Sequence, residues 1–145
     1  MFKHILVPTD GSDITQSAIP TILQFAKDIG AKVTAVHVAP QFHVFTYQTE
    51  MLEDTRDQFA RDCAAHAKVF LANVEAPARA LGLDCDCLLM ESDRPHEALI
   101  QAADERGCDL IAMASRANRG VKALLLGSET HKVLVNSEIP VLVFR

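Results

Sequence analysis

A polar loop that contains small and basic residues follows a short apolar run in the last third of the chain. The apolar run covers residues 110–113, the loop covers residues 114–120, and Gly127 and Ser128 lie a few positions further on. A strand that leads through such a loop into a helix can bind phosphate, because the N–H groups at the helix start and the positive end of the helix dipole face the anion. Three cations lie in or beside this loop: Arg116, Arg119 and Lys122. We therefore predict an anion-binding site in this part of the chain.

A carboxylate follows the first apolar run in a similar way. Residues 5–7 lead into Pro8, Thr9 and Asp10. At the end of a strand, the Asp10 carboxylate can accept hydrogen bonds from the hydroxyl groups of a ligand. It can instead cap the helix that begins shortly after it, since Asp is a common N-cap residue. The residues alone leave both roles open.

The elements that must position these residues alternate along the chain. Short apolar or β-branched runs predict strands at residues 5–7, 32–38, 85–90, 110–114 and 141–144. Capping residues and helical spacing predict helices from Ser12 or Asp13 to Ile29, from about 49 to 81, from the cap Asp93 to Gly107, and over about 127–136. Pro20 is expected to bend the first helix or to displace its start.

This alternation predicts an α/β fold with a doubly wound parallel sheet and helices on both of its faces. Ligands of such sheets bind beyond the carboxyl ends of the strands, where the strand order reverses. The exits of the first and fourth strands carry the polar residues, so a strand order of 3-2-1-4-5 would bring Asp10 and the loop after Ala114 together. We expect residues 1–145 to form a single domain.

Composition limits the classes of partner. The net charge of −5 argues against nucleic acid or an anionic membrane as the main partner. The start of the chain does not resemble a signal peptide and no apolar run approaches the roughly 20 residues that span a bilayer, so we expect a cytoplasmic protein. Four cysteines are then expected to be reduced thiols, and the Cys85/Cys87 pair alone is a weak metal signal, so we predict no metal site.

Motifs of catalysis are missing from the sequence. It contains no G-x-S-x-G elbow and no G-x-x-x-x-G-K-[ST] loop, and no Ser/His/Asp set lies in a recognisable context. The sequence therefore predicts a binding module, with a slow side activity at most, rather than a dedicated enzyme.

Taken together, five segments resemble the universal stress protein family over the full length of the chain. They are residues 4–12, 36–38, 107–113, 124–128 and 139–143. The resemblance implies a Rossmann-like fold with a five-stranded parallel sheet in the order 3-2-1-4-5. It also implies a stress-response role, a homodimer formed through the last strand and, as in many members, bound ATP or another adenine nucleotide, with or without Mg²⁺.

The family's nucleotide motif, Gly-two-Gly-nine-Gly-Ser/Thr, falls on Ala114, Ala117, Gly127 and Ser128 with its spacing intact. The resemblance further implies that Asp10 binds the ribose and that Val38 and Met113 lie beside the adenine. Phosphate would then be bound by N–H groups of the motif and by the Ser128 hydroxyl. The complete implied set is Pro8, Thr9, Asp10, Val38, Met113, Ala114, Ser115, Arg116, Ala117, Arg119, Gly127, Ser128 and Glu129.

Two motif glycines are replaced by alanine in this chain. A left-handed backbone costs a non-glycine residue roughly 1–2 kcal/mol, so Ala114 and Ala117 are expected to weaken nucleotide binding. Charge-assisted contacts from Arg116 and Arg119, worth about 1.5–3 kcal/mol each, act in the opposite direction. We expect binding on balance. The alternative is a nucleotide-free dimer that acts through protein–protein contacts.

Overall fold

The computed structural model describes residues 1–42, 49–115 and 127–145, with only the backbone described for residues 49–54. Strands and helices alternate throughout these residues, as the sequence predicts. The elements are β1 (His4–Pro8), α1 (Asp13–Ile29), β2 (Lys32–Ala39), α2 (Thr49–Ala80), β3 (Cys85–Glu91), α3 (Pro95–Arg106), β4 (Leu110–Ala114), α4 (Ser128–Asn136) and β5 (Val141–Phe144).

All five strands form one parallel sheet in the order β3-β2-β1-β4-β5. The predicted strand order is therefore confirmed. In the register of the sheet, Leu6 of β1 lies between Thr34 of β2 and Ile111 of β4. The chain moves outward in one direction through β2 and β3 and in the other through β4 and β5, so the order reverses between β1 and β4. This is the position where open α/β sheets bind ligands.

Alternate residues of the central strand enter two separate cores, one on each face of the sheet. Ile5 and Val7 pack with buried residues of α1 and α2, such as Leu23 and Val74. Leu6 points to the opposite face and joins the core that α3 and α4 cover. Burial of each large aliphatic side chain contributes about 1.5–3 kcal/mol. The two cores confirm that helices cover both faces.

The first helix begins where its capping sequence predicts. Ser12 is the N-cap, and its hydroxyl oxygen accepts a hydrogen bond from the N–H of Thr15 at 3.3 Å. Gly30 ends the helix with φ +72°, a conformation that favours glycine. Pro20 lies within the helix with its side chain exposed, and the helix start is not displaced.

The predicted cap of α3 is wrong by one residue. Arg94 is the N-cap and makes no side-chain capping bond, with Pro95 in the first turn. The Oδ1 atom of Asp93 instead accepts a hydrogen bond from the N–H of Gln41, at 3.1 Å. The carboxylate therefore joins the end of β2 to the start of α3, a tertiary contact that the local sequence does not reveal. Across the described residues, no helix has the length and apolarity needed to cross a membrane.

Candidate functional site

A cleft of about 240 Å³ opens at the carboxyl ends of β1, β2 and β4. It lies at the reversal of strand order, and side chains from α1, α3 and α4 complete its walls. Seven of the predicted site residues line it: Pro8, Thr9, Asp10, Val38, Met113, Ala114 and Glu129. The remaining lining residues are Thr15, Val36, His37, Pro95, Leu99 and Thr130. The structure thus brings together the exits of the first and fourth strands.

Asp10 lies at the rim of the cleft, where one of its oxygens is bound within the protein. Its Oδ1 atom accepts hydrogen bonds from the N–H of Ser12 at 2.9 Å and from the hydroxyl of Thr15 at 2.8 Å. Partial burial disfavours the charged carboxylate, but the hydrogen bonds from Ser12 and Thr15 outweigh it and lower the pKa of Asp10. Among the described residues, no group donates to its Oδ2 atom. Asp10 therefore holds the start of α1 through Oδ1, and its side chain also lines the cleft.

The interior of the cleft has an apolar wall. Val38 of β2 and Met113 of β4 line it, and Leu99 of α3 lies beside them. Met113 and Leu99 are buried, whereas Val38 is partly exposed. A wall of this kind suits a flat apolar ring, as ligand pockets combine a mainly apolar lining with a few polar groups.

Thr9 contributes a buried hydroxyl that has no partner among the described residues. Its side chain is only 4% exposed, and the Oγ1 atom makes no hydrogen bond within the described structure. Both the N–H and the carbonyl group of Thr9 form hydrogen bonds with residues of β2. Its N–H donates to the carbonyl of Val36 at 2.8 Å, and its carbonyl accepts from Nδ1 of His37 at 2.8 Å.

The first N–H groups of α4 have no partner among the described residues, whereas the N–H of Gly127 is hydrogen-bonded. Gly127 is the N-cap, and its N–H donates to Oγ of the buried Ser115 at 3.0 Å. The first intrahelical bond of α4 joins the N–H of His131 to the carbonyl of Gly127, at 3.0 Å. The N–H groups of the preceding turn, beginning at Ser128, have no partner within the helix. Ser128 itself is the first helical residue and is exposed.

Ala114 does not incur the conformational penalty that the family motif leads one to expect. It is the last residue of β4 and pairs with Phe144 of β5. No described residue other than glycine has a positive φ. The expected left-handed cost at Ala114 is therefore wrong, because the sheet extends through this position and keeps the backbone in the β region. Compared with the motif glycine, Ala114 only adds a methyl group to the wall of the cleft.

Glu129 lies at the first turn of α4 between two partners. Its Oε1 atom is 3.2 Å from Nζ of Lys132, and its Oε2 atom is 3.5 Å from Nδ1 of His96. The second pair is within ion-pair range but makes no hydrogen bond, and both atoms are buried without another partner among the described residues. An acidic side chain here interacts favourably with the helix dipole.

Sequence reasoning did not assign six of the lining residues to this site: Thr15, Val36, His37, Pro95, Leu99 and Thr130. The sequence signal for Thr15 is its position three residues after the cap Ser12, where its hydroxyl can bond the capping region. Leu99 could be found only from the packing of α3 against the sheet. Three predicted residues, Arg116, Ala117 and Arg119, lie outside the described residues, as does Lys122. Within the described ranges, no three His, Cys, Asp or Glu side chains are grouped to hold a metal ion.

Comparison with known proteins agrees with the fold and with the resemblance noted in the sequence. The chain is 30% identical over 149 residues to universal stress protein YxiE of Bacillus subtilis, with both chains covered completely. It is 32% identical over 146 residues to a universal stress protein of Thermus aquaticus, again with full coverage of both.

Solved structures with the same fold include universal stress protein UspA from Lactobacillus plantarum, with a TM-score of 0.81 and 23% identity over 99% of this chain and 98% of that one. A universal stress protein in complex with cAMP aligns with a TM-score of 0.70 and 23% identity, over 99% of this chain and 97% of that one. The Archaeoglobus fulgidus protein in complex with dAMP aligns with a TM-score of 0.69, 17% identity and coverage of 100% and 98%. The model of the universal stress protein family matches residues 1–145. This chain therefore belongs to the universal stress protein family.

Proposed function

We propose that this protein is a cytoplasmic stress-response binding module that holds ATP or another adenine nucleotide in the cleft between β1 and β4. The observation that carries the proposal is the convergence of Asp10, Val38, Met113 and Glu129 on one cleft at the reversal of strand order. The family members solved with cAMP and dAMP support an adenine nucleotide as the ligand class. Mg²⁺ would accompany a triphosphate.

The contacts that the family resemblance implies are compatible with the geometry of the cleft. The Oδ2 atom of Asp10 would accept a hydrogen bond from a ribose hydroxyl, because Oδ1 is occupied by Ser12 and Thr15. Val38 and Met113 would lie on the adenine ring. This assignment gives Asp10 both roles that the sequence left open, as a support for α1 and as a ligand contact.

The phosphates would lie at the start of α4, where free N–H groups and the helix dipole favour an anion. The N–H of Gly127 already donates to Ser115, so the donors would be the Ser128 hydroxyl and the N–H groups of the first turn. Additional charge from Arg116 and Arg119, and a contact from the N–H of Ala117, stay predictions from the sequence.

Calorimetric titration of the purified protein with ATP and Mg²⁺ tests the proposal, with Asp10→Asn as the key variant. Asparagine keeps a carbonyl oxygen for the bonds from Ser12 and Thr15, but it replaces the ligand-facing oxygen by an amide group and removes the charge. Loss of a charge-assisted bond of about 1.5–3 kcal/mol should weaken binding roughly 10- to 100-fold. Asp13→Asn is the matched control, since this carboxylate is exposed in the first turn of α1 outside the cleft.

A lack of heat with millimolar ATP would remove the nucleotide proposal and leave the alternative, a protein that acts through its surfaces alone. Equal weakening by Asp10→Asn and Asp13→Asn would point to general electrostatics rather than to a ribose contact. Binding that weakens as salt rises would support a contribution from exposed cations.

We further propose a homodimer through β5, which is an edge strand of the sheet. The carbonyls of Pro140 and Phe144 accept hydrogen bonds from the β4 side at 3.0 and 2.8 Å. In a parallel ladder the backbone groups of alternate residues face alternate directions, so Leu142 also faces β4. Val141 and Val143 therefore direct their N–H and carbonyl groups to the free edge. An apolar edge strand of this kind favours pairing with a copy of itself.

A further inference from the structure

We propose that the free edge of β3 pairs antiparallel with β3 of a second copy of this chain, about a two-fold axis that passes beside Leu88. This edge lies at the opposite end of the sheet from β5, and the contact does not depend on nucleotide binding. Three features of the edge support it: its unbroken length, the direction of its backbone groups and the charges beside it.

β3 is an edge strand that lacks the usual protection against pairing. Natural edge strands are commonly very short, carry lysine, or are interrupted by proline or a bulge. β3 has seven residues, pairs with β2 in continuous register from Cys85 to Glu91, and contains neither proline nor lysine. Among the described residues, no strand pairs with its outer side. Because Leu89 is also 42% exposed, the strand offers a long, regular and partly apolar template to another strand.

The hydrogen bonds at the two ends of β3 determine which backbone groups face outward. The N–H of Val33 donates to the carbonyl of Asp84 at 2.9 Å, and the N–H of Ser92 donates to the carbonyl of Ala39 at 2.9 Å. Backbone groups alternate in direction along a strand, so the even-numbered residues of β3 bond β2. The outward N–H and carbonyl groups therefore belong to the odd-numbered residues, which are Cys85, Cys87, Leu89 and Glu91.

Only one antiparallel register uses all of these outward groups. In this register Leu88 lies opposite Leu88 of the second copy, Cys87 lies opposite Leu89, and Cys85 lies opposite Glu91. The Cys87–Leu89 and Cys85–Glu91 pairs each exchange two hydrogen bonds, as the closely spaced pairs of an antiparallel ladder do. A shift of the register leaves Cys85 or Glu91 without a partner strand. Full pairing therefore places the two-fold axis at Leu88.

The charges beside the edge are complementary in the same register. Burial and the charge of Glu75 raise the pKa of Cys85 to about 11, and Arg79 lies close enough to act against that rise. Arg79 is 2.9 Å from Glu75, and its side chain is 68% exposed, so it can contact a second carboxylate. Pairing brings Glu91 of the second copy opposite Cys85, on the side where Arg79 lies. The two-fold axis repeats this contact.

Helix α2 leaves the edge accessible to a second strand. It packs on β2 as well as on β3, so it lies inward from the free edge. A groove lined by Leu71 and Cys87 runs between the helix and the edge, and Leu89 of the second copy would cover part of it. On the other face Asp86 lies opposite Met90, so no like charges meet. The apolar area is small, and we therefore expect association weaker than micromolar.

Disulfide trapping on the full chain tests the register. Leu88→Cys places two introduced thiols opposite each other in a pair whose Cα atoms lie about 4.5 Å apart, within the range that a disulfide spans. Met90→Cys is the matched control, because Met90 packs against the same core and lies opposite Asp86 rather than itself. Under mild oxidation at high protein concentration, we expect a covalent dimer from Leu88→Cys and none from Met90→Cys or the parent. Equal cross-linking of the two variants, or none in either, would overturn the proposal.

Sedimentation equilibrium from micromolar to millimolar concentration supplies a measurement that needs no new thiol. Val143→Pro provides the background, so that the β5 edge does not contribute. We expect a reversible dimer at the upper end of this range. Adding Leu89→Pro should weaken it about tenfold or more, since two net hydrogen bonds are lost while the β2–β3 ladder and Tm are retained. Glu91→Lys should also weaken it, because it brings a second cation beside Arg79.

A protein that stays monomeric at every concentration would overturn the proposal, and an extended segment of another protein would then be the remaining occupant of this edge. A dimer that Leu89→Pro leaves unchanged would overturn it as well. Neither measurement requires a nucleotide, so failure of the proposed function and failure of this inference are separate results.

Discussion

The ring of Phe70 occupies the space that a Cβ atom on Gly11 would need. Gly11 has φ +74°, and a methyl group at this position would overlap the Phe70 side chain. The ring of Phe70 also meets that of His37 edge-on, with centroids 5.1 Å apart. Helix α2 therefore packs directly on the turn after β1, and this turn carries Asp10 into the cleft. Glycine is required here both for its backbone conformation and for the close approach of α2.

Gly11→Ala should destabilise the protein more than an alanine at another left-handed glycine. Gly82 is the matched control, since it has φ +78° and no atom lies within 4 Å of the place that an alanine methyl group would take. Gly82→Ala should cost about 1–2 kcal/mol of unfolding free energy for the backbone alone, and Gly11→Ala should cost more because Phe70 must move. Urea unfolding measures both. Phe70→Leu in the Gly11→Ala background should recover part of the difference, and equal costs at the two glycines would contradict the contact.

The alternation of strands and helices and the polar exits of β1 and β4 could be predicted from local signals, whereas the strand order and the places of Val38 and Met113 were implied by the family resemblance. Alternating apolar runs, the Ser12 cap and the polar exits of β1 and β4 all lie in short segments. The roles of single atoms could not be predicted. Asp93 bonds Gln41 rather than capping α3, and the N–H of Gly127 bonds Ser115, because tertiary neighbours supply partners that no sequence window contains.

The conformation of Ala114 also depends on a tertiary neighbour and could not be predicted from the motif. The family motif predicts a glycine-like conformation, whereas pairing with β5 keeps the residue extended. Ala114→Gly should therefore bring less gain in nucleotide affinity than the motif alone suggests.

Stability should fall as the pH drops below about 6.5, and His4 should account for part of the loss. Its Nε2 atom lies 2.6 Å from the hydroxyl of the fully buried Thr34. Burial, reinforced by the charge of Lys32, lowers the pKa of His4 from its ordinary value of 6.5, against the opposite influence of Asp86 and Asp109. The folded state thus prefers neutral His4, while the unfolded chain takes up a proton below pH 6.5.

His4→Gln isolates this effect, because glutamine can still bond the Thr34 hydroxyl but does not titrate. Between pH 7 and the lowered folded pKa, the parent should lose unfolding free energy that the variant retains. Asp10 and Asp109 do not interfere in this window, since the pKa of each is lowered from 3.8. Parallel stability curves for the two proteins over this range would show that His4 is not responsible.

Cys87 should react slowly with alkylating agents until its carboxylate partner is removed. Burial and a hydrogen bond from the thiol to Oε2 of Glu75, at 2.8 Å, raise the pKa of Cys87 to about 12. Only the thiolate is a nucleophile. Glu75→Gln keeps the size of the partner and removes its charge, so labelling of Cys87 by iodoacetamide at pH 8 should accelerate. The gain should be about three- to fourfold for each unit by which the pKa falls, because the thiolate fraction rises while the nucleophilicity of each thiolate declines.

Peptide mass spectrometry resolves Cys87 from the other thiols. Cys108 serves as the internal control, because burial raises its pKa to about 11 without any contribution from Glu75. Its labelling rate should stay constant in Glu75→Gln. Acceleration at both cysteines would instead indicate general loosening of the fold.

The proposed dimer predicts that proline at two adjacent positions of β5 has different effects, on assembly at one position and on the stability of the subunit at the other. The N–H of Val143 faces the free edge, so Val143→Pro should remove a bond between subunits while the β4–β5 ladder remains intact. The N–H of Leu142 faces β4, so Leu142→Pro should break the ladder and lower the stability of each subunit.

Light scattering at micromolar concentration should give a dimer for the parent and a monomer for Val143→Pro, with the Tm of the monomer separating this effect from unfolding. A monomeric parent, or a Val143→Pro variant that still has the mass of a dimer, would refute assembly through this edge, since proline cannot donate the hydrogen bond that edge pairing requires.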